Sequence, residues 1–387
     1  MTDRIACSCP ETTDLRKMST RPIVFTTRIA ASLAIVALAA CAGVDSPRAT
    51  GSANQTSISN VSQDKNVGRA AVAPGLFELA HMDHRLYVTS AGDDRRNGKP
   101  GHILVIDPGS LTILQSVESA EKPFALAVNR KTRTLYVGHS MDRRVSVYDM
   151  RDMARTAVIQ LDGIDKRSGK PYRSRQLLVD ETTNTVYVSS PSDDGPVWVI
   201  DGATSTLRGT IEAMGGPGLA LDPVQGRLYT SGRGFWRLAD TKTGKMIARH
   251  PVQDKPERFL VNVDIDPKTS RLFASDSKHG ELLVLEPASG KATNVVATGA
   301  GAMGVKINAP HEEVYVSNRQ AGTVTVIDTN TLAVKRSIEI KPFPNSFAID
   351  ETTGEVYVSV KQSRDPKSAG YRNDKKESIA RFNAKMP

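Results

Sequence analysis

The chain has 387 residues, 39% of them hydrophobic and 24% charged, with a formal net charge of +9. That balance can bury a sizeable core in one large all-β domain or two ordinary ones, and so mild a charge gives no nucleic-acid or membrane-surface signal from composition alone. All three cysteines, Cys7, Cys9 and Cys41, precede residue 42, so the body of the chain has no disulfide framework, thiolate metal site or cysteine nucleophile.

Residues 1–17 are polar. Arg21 and Arg28 then precede an apolar run from Ile29 to Ala40, too short to span a bilayer but suited to a signal-peptide core. The run ends Leu38-Ala39-Ala40-Cys41, which resembles a bacterial lipobox. The resemblance implies cleavage before Cys41 and a diacylglycerol on its thiol. Met18 gives a more compact signal, which places the expected start there. Residues 1–40 are therefore expected to be an N-terminal extension and lipoprotein signal. Residues 41–64 are expected to be the lipidated cysteine and a flexible tether, being rich in Ser, Thr, Asn, Gly and Ala without apolar periodicity.

From residue 75 onward one pattern returns. An apolar-aromatic strand reads Leu86-Tyr87-Val88-Thr89, Leu135-Tyr136-Val137-Gly138, Val186-Tyr187-Val188-Ser189, Leu228-Tyr229-Thr230-Ser231, Leu272-Phe273-Ala274-Ser275, Val314-Tyr315-Val316-Ser317 and Val356-Tyr357-Val358-Ser359. The aromatics recur about every 45 residues, a period of propeller blades or solenoid units. A second strand follows each, and most end in an acid that opens a tight turn, as in Asp107-Pro108-Gly109-Ser110 and Asp328-Thr329-Asn330-Thr331. Turn chemistry explains these acids better than a metal site does. With a preceding apolar strand and a following one, each unit has four strands, here named A to D from the axis outward. Seven such units describe an all-β, seven-bladed propeller over residues 65–387. The last unit stops without a D strand, while Asn66–Val72 lies ahead of the first A strand. The N-terminal strand is expected to complete blade seven and close the ring, removing the open edges.

The recurring Tyr-Val-Ser/Thr strand followed by Val-Ile-Asp-Thr resembles the YVTN family of β-propellers, which includes the periplasmic YncE-like proteins. The segments Val314–Asn318 and Val324–Thr329 fit that pattern best, and blades four and seven depart from it most. The resemblance implies the propeller fold and an association with single-stranded DNA, but no motif transfers that role residue by residue.

Searches for catalytic motifs fail. There is no Cys-x-x-Cys-His, and His311-Glu312-Glu313-Val314-Tyr315 lacks the second histidine of a zinc-protease motif. Gly138-His139-Ser140-Met141-Asp142 fails as a nucleophile elbow at its last position. Gly299-Ala300-Gly301-Ala302-Met303-Gly304 matches a dinucleotide fingerprint literally, but it joins two strands and reads as an inter-blade turn. Trp198 and Trp236 sit in C strands and read as packing residues. No cofactor is expected.

Charge is distributed unevenly. The B–C and D–A connections share one face with a basic excess of about five, and the other face has an acidic excess of about six. Candidate ligand-binding residues on the basic face are Arg95, Arg96, His139, Arg143, Arg144, Arg173, Arg175, Arg233, Arg258, Lys278 and Arg319. Arginines beside aromatics can hold phosphate and stack on bases. Two classes of function stay open. One is a non-enzymatic binding or scaffold protein, lipid-anchored on the periplasmic side of the envelope, with an anionic ligand, single-stranded DNA or an envelope protein as partner. Ala42, after the lipidated cysteine, favours the outer membrane by resemblance to other lipoproteins. The other is an enzyme at the channel mouth, either lactonase-like and metal-dependent or a component of an amine-dehydrogenase-like oxidoreductase.

Overall fold

The computed structural model describes residues 61–62, 67–92, 100–368 and 370–383. Cys41, the signal segment, residues 41–60 of the tether, and Arg95 and Arg96 lie outside the described residues. Seven sheets follow one another along the chain, and the blades are arranged in a β-propeller ring. Blade one is made of Leu76–Met82, Arg85–Ser90, Gly101–Ile106 and Ile113–Ser119, each antiparallel to the next. Blades two to six repeat the arrangement, and among the described residues the helical structure is one 3-10 turn, Ala309–His311.

Ring closure follows the expected route. Gly68–Ala73 pairs antiparallel with Glu377–Asn383 and supplies the outermost strand of blade seven. Just upstream, Val61–Ser62 lies parallel to the D strand of blade six, against Ser337 and Ile338. Two residues within the expected tether thus dock on the sheet.

The repeat has a packing logic. Successive strand residues point to opposite faces, so a B strand sandwiched between blades is apolar on both. Its aromatic always faces the next blade: Tyr87 packs between blades one and two, Tyr136 between two and three, and Tyr357 between seven and one. Its neighbours face backward, and Leu86 and Val88 join Tyr357 and Ile379 in the closing core. Trp198 and Trp236 are buried in such cores, as expected for packing residues. The D strands form the rim, and Ile113–Ser119 and Lys291–Ala297 are largely exposed.

Two residues beyond every aromatic except Tyr136 comes a hydroxyl with a defined task. Ser317 Oγ accepts the N–H of Gly304 at 2.8 Å and donates to the carbonyl of Asn345 in the next blade at 2.7 Å. Ser359 does the same with Ser346 N–H at 3.2 Å and Phe77 carbonyl at 2.7 Å, joining the last blade to the first. Thr89, Ser231 and Ser275 also donate to the next blade's A strand. In blades one, five, six and seven the A strand bulges at this level. The bulge removes a backbone N–H from the ladder, and the hydroxyl satisfies it. Blade two has Gly138 instead, and a Cβ there would lie 2.5 Å from the Leu177 side chain that fills the space.

The acids at the C–D turns accept turn N–H groups, as Asp107 does from Ser110 at 2.7 Å and Asp328 from Thr331 at 2.8 Å. These bonds hold the carboxyls of Asp107 and Asp328 below the usual range. The A–B turns use the same device through Asp180, Asp222, Asp266 and Asp350. The glycine-rich Gly299–Gly304 segment links the D strand of blade five to Ala302–Asn308, with Gly301 at φ +72°. It is an inter-blade turn.

Candidate functional site

The seven A strands enclose an axial channel of about 730 Å³. Their N-terminal ends follow the D–A connections, so the mouth on that side also receives the B–C loops. Three charged side chains set its chemistry.

Glu78 stands on the blade-one A strand, its side chain 17% exposed. Desolvation pushes its carboxyl up to about 7, against the pull of Arg175 and of the Leu126 N–H. Arg175 Nη1 approaches Glu78 Oε1 at 3.4 Å, and Leu126 N donates to Oε2 at 3.3 Å. The Arg175 guanidinium lies 4.8 Å from the centre of the Phe124 ring, which packs 4.4 Å from Phe77. The third side chain is Arg319, in the blade-six B–C connection. Its Nη1 donates to Asn345 Oδ1 at 3.1 Å and lies 3.8 Å from Met303 Sδ. Desolvation lowers the Arg319 pKa; Glu377 opposes this, while the positive charges of Arg364 and Arg175 add to it. Arg175 and Arg319, from blades three and six, therefore line the same channel.

Of the candidates read from the sequence, Arg175 and Arg319 are brought together at the channel. The other candidates among the described residues are distributed elsewhere. His139 is buried, with Nε2 2.9 Å from Ser146 Oγ, and burial lowers its pKa. Arg144 reaches Glu121 at 3.2 Å and Gln160 at 3.0 Å. Its neighbour Arg143 takes a left-handed turn conformation, with φ 55°. Arg173 is exposed on the long insertion before blade three. Arg233 lies over the Phe259 ring at 4.2 Å. Lys278 is exposed and paired with Glu257 at 2.8 Å. Arg258 is fully buried between Asp254, Asp276 and Glu281 at 2.6, 2.7 and 2.9 Å. Its donors brace blade five internally, which corrects the expectation that it faces a ligand.

Polar residues on the A strands of blades five and six are also engaged. Asn262 Nδ2 donates to the Met303 carbonyl at 2.9 Å, and Asp264 accepts from Ile307 N–H at 3.0 Å while facing Lys306 at 3.3 Å. Sequence reasoning missed Glu78, Phe77 and Phe124. A signal existed for Glu78, a lone acid inside the apolar stretch Leu76-Phe77-Glu78-Leu79. Among the described residues, no three His, Cys, Asp or Glu side chains group closely enough to hold a metal ion.

No family model matches the chain. It is 34% identical over 301 residues to the uncharacterized protein YncE of Salmonella typhimurium, an overlap of 76% of this chain and 85% of that protein. With the uncharacterized protein YncE of Escherichia coli K12 it shares 31% identity over 303 residues, at the same coverage of both. Among solved structures, the hydrazine synthase of Kuenenia stuttgartiensis aligns at a TM-score of 0.60 and 16% identity, over 74% of this chain and 92% of that one. So low an identity carries the fold alone. With the repeat, the closed ring of blades and this level of identity over most of its length, the chain belongs to the YncE-like family of β-propellers.

Proposed function

We propose that this protein is a lipid-anchored propeller on the periplasmic side of the envelope, held at the outer membrane through Cys41. In this reading it works as a non-enzymatic binding protein. It takes an anionic ligand, single-stranded nucleic acid in the most concrete case, at the basic mouth of its channel. The observation that carries this reading is the convergence of Arg175 and Arg319 on one mouth, with Phe124 beneath the Arg175 guanidinium. Guanidinium groups hold phosphate oxygens in a fork, and an aromatic ring beside them offers a stacking surface to a base. The sequence-level basic excess on this face acts in the same direction.

Fluorescence anisotropy with a labelled single-stranded oligonucleotide tests it. Each phosphate contact to a single strand contributes about −0.7 to the log–log salt slope. Engagement of Arg175 and Arg319 thus predicts a contribution of about −1.4 to the slope by the same rule. Absence of binding at low salt would remove the nucleic-acid reading.

A channel-mouth enzyme is the second reading, and Glu78 favours it. A carboxyl near 7 suits proton transfer at neutral pH. Metal analysis of the purified protein separates the two, because stoichiometric calcium or zinc supports the enzyme.

A further inference from the structure

A second cavity, of about 510 Å³, lies between blades six and seven and shares no lining residue with the channel. Three segments distant in sequence build it. The ring-closing strand contributes Arg69, the connection between blades six and seven contributes Lys341, Pro342 and Phe343, and the blade-seven B–C loop contributes Arg372 and Lys376. Gly370 lets that loop lie against Pro342, since a Cβ at this position would stand 2.6 Å from the proline Cβ.

The charges do not balance. Lys341 pairs with Glu339 at 2.8 Å, Arg372 with Asp374 at 2.7 Å, and Lys361 with Glu377 at 2.6 Å. Among the described residues, neither the Arg69 guanidinium nor the Lys376 ammonium is in an ion pair; Arg69 Nη1 donates to the carbonyl of Lys341, and the Lys376 N–H donates to Asp374 Oδ1 at 3.0 Å. The pKa of Arg69 is lowered by packing around its guanidinium and by the like charge of Arg372. Arg69 and Arg372 thus line one cavity, Arg372 with its Nε and Nη2 on Asp374 at 3.1 and 2.7 Å and its Nη1 left for a ligand, with Lys376 also lining it beside a wall formed by Pro342 and Phe343.

We infer that this cavity is a binding site for a compact phosphate group, gripped between Arg69 and Arg372 with Lys376 as a third charge. Phosphate matches forked donors better than a monovalent halide does, and it accepts from both guanidinium groups at once. The volume suits a small phosphorylated molecule or a phospholipid headgroup, with its apolar part against Phe343. Because Arg69 lies on the closing strand and Arg372 on the blade-seven loop, the bound anion fastens the ring closure. Binding only to the closed form stabilises it by mass action.

The test is calorimetric titration of the full chain in non-ionic detergent. One arm uses inorganic pyrophosphate and the other dihexanoyl phosphatidylglycerol. Saturable binding of either supports the site, pyrophosphate alone indicating a soluble phosphate and the lipid a headgroup. Arg69→Gln is expected to weaken binding by about tenfold or more, as loss of one charge-assisted pair does. Lys376→Gln lies on an exposed loop and carries no folding risk; it is expected to weaken binding severalfold. Lys242→Gln, an exposed lysine at a C–D turn, removes the same charge and is expected to leave binding unchanged. Failure of both ligands to bind overturns the proposal. An equal effect of Lys242→Gln and Lys376→Gln also overturns it, since the attraction would then be diffuse.

Discussion

The hydroxyl of Ser359 joins the last blade to the first, so Ser359→Ala probes the junction at which the ring closes. The side chain is fully buried. Its Oγ holds the Ser346 N–H, left out of the ladder by the bulge between Pro344 and Phe347, and donates to the Phe77 carbonyl at 2.7 Å. Alanine leaves both groups enclosed without that partner. A buried unsatisfied polar group costs about 1–3 kcal/mol, and partial relaxation of the bulge offsets some of the sum. The expected loss is therefore about 2–4 kcal/mol by that rule. Ser359→Thr should keep most of the stability, because Thr89 performs the same task in blade one. Urea unfolding followed by circular dichroism measures the difference. If Ser359→Ala unfolds within about 0.5 kcal/mol of wild type, the ordinary scale of a surface substitution, the clasp is not what holds the blades together.

Three further outcomes are expected. Deleting residues 67–73 should lower the thermal midpoint sharply, since it bares the Glu377–Asn383 edge and strips Val72 from the closing core, whereas deleting 42–60 should leave the midpoint unchanged. The Glu78 carboxyl is raised to about 7 in the folded state, so the native chain binds more protons than the unfolded chain between the ordinary carboxylate range and neutrality. Its contribution to stability therefore declines as pH rises through that window; Glu78→Gln should remove that share of the decline and be relatively stabilising at pH 8, as thermal scans from pH 5 to pH 8 will show. Cys41→Ala should move the protein from the detergent phase to the aqueous phase while it stays folded, because a thioether-linked lipid is the only membrane-directed feature expected of the chain.

The fold was legible because packing between blades imposes a repeat on the sequence. Every B strand is covered on both faces, so each must be apolar, with the aromatic at the forward junction. Ring closure was legible from a missing strand at one end and a spare one at the other. The hydroxyl two places after six of the seven aromatics was visible but unexplained, because its partners are backbone groups of its own A strand and of the next blade. The site was less legible. Arg175 and Arg258 each just precede an A strand, and nothing local separates them. Arg258 is taken up by Asp276 and Glu281 from two other strands of blade five, while Arg175 meets a single carboxyl, Glu78 of blade one, at the channel. Such differences depend on which strands the topology brings together. Glu78 escaped notice because the repeat that reveals the blades is carried by the B and C strands, whereas Glu78 stands on an A strand. Arg69 was read only as part of a closing strand, and its partner Arg372 lies at the far end of the sequence.

In the function proposed, the channel mouth holds an anionic ligand through Arg175 and Arg319. Its most direct test is the affinity of the Arg175→Gln/Arg319→Gln double variant for the labelled oligonucleotide at low salt, set beside wild type. The account predicts wild-type binding that weakens by about a hundredfold in the variant, as expected for two lost charge-assisted contacts, with a salt slope shallower by about 1.4. A double variant that folds normally and binds with wild-type affinity and slope would contradict it.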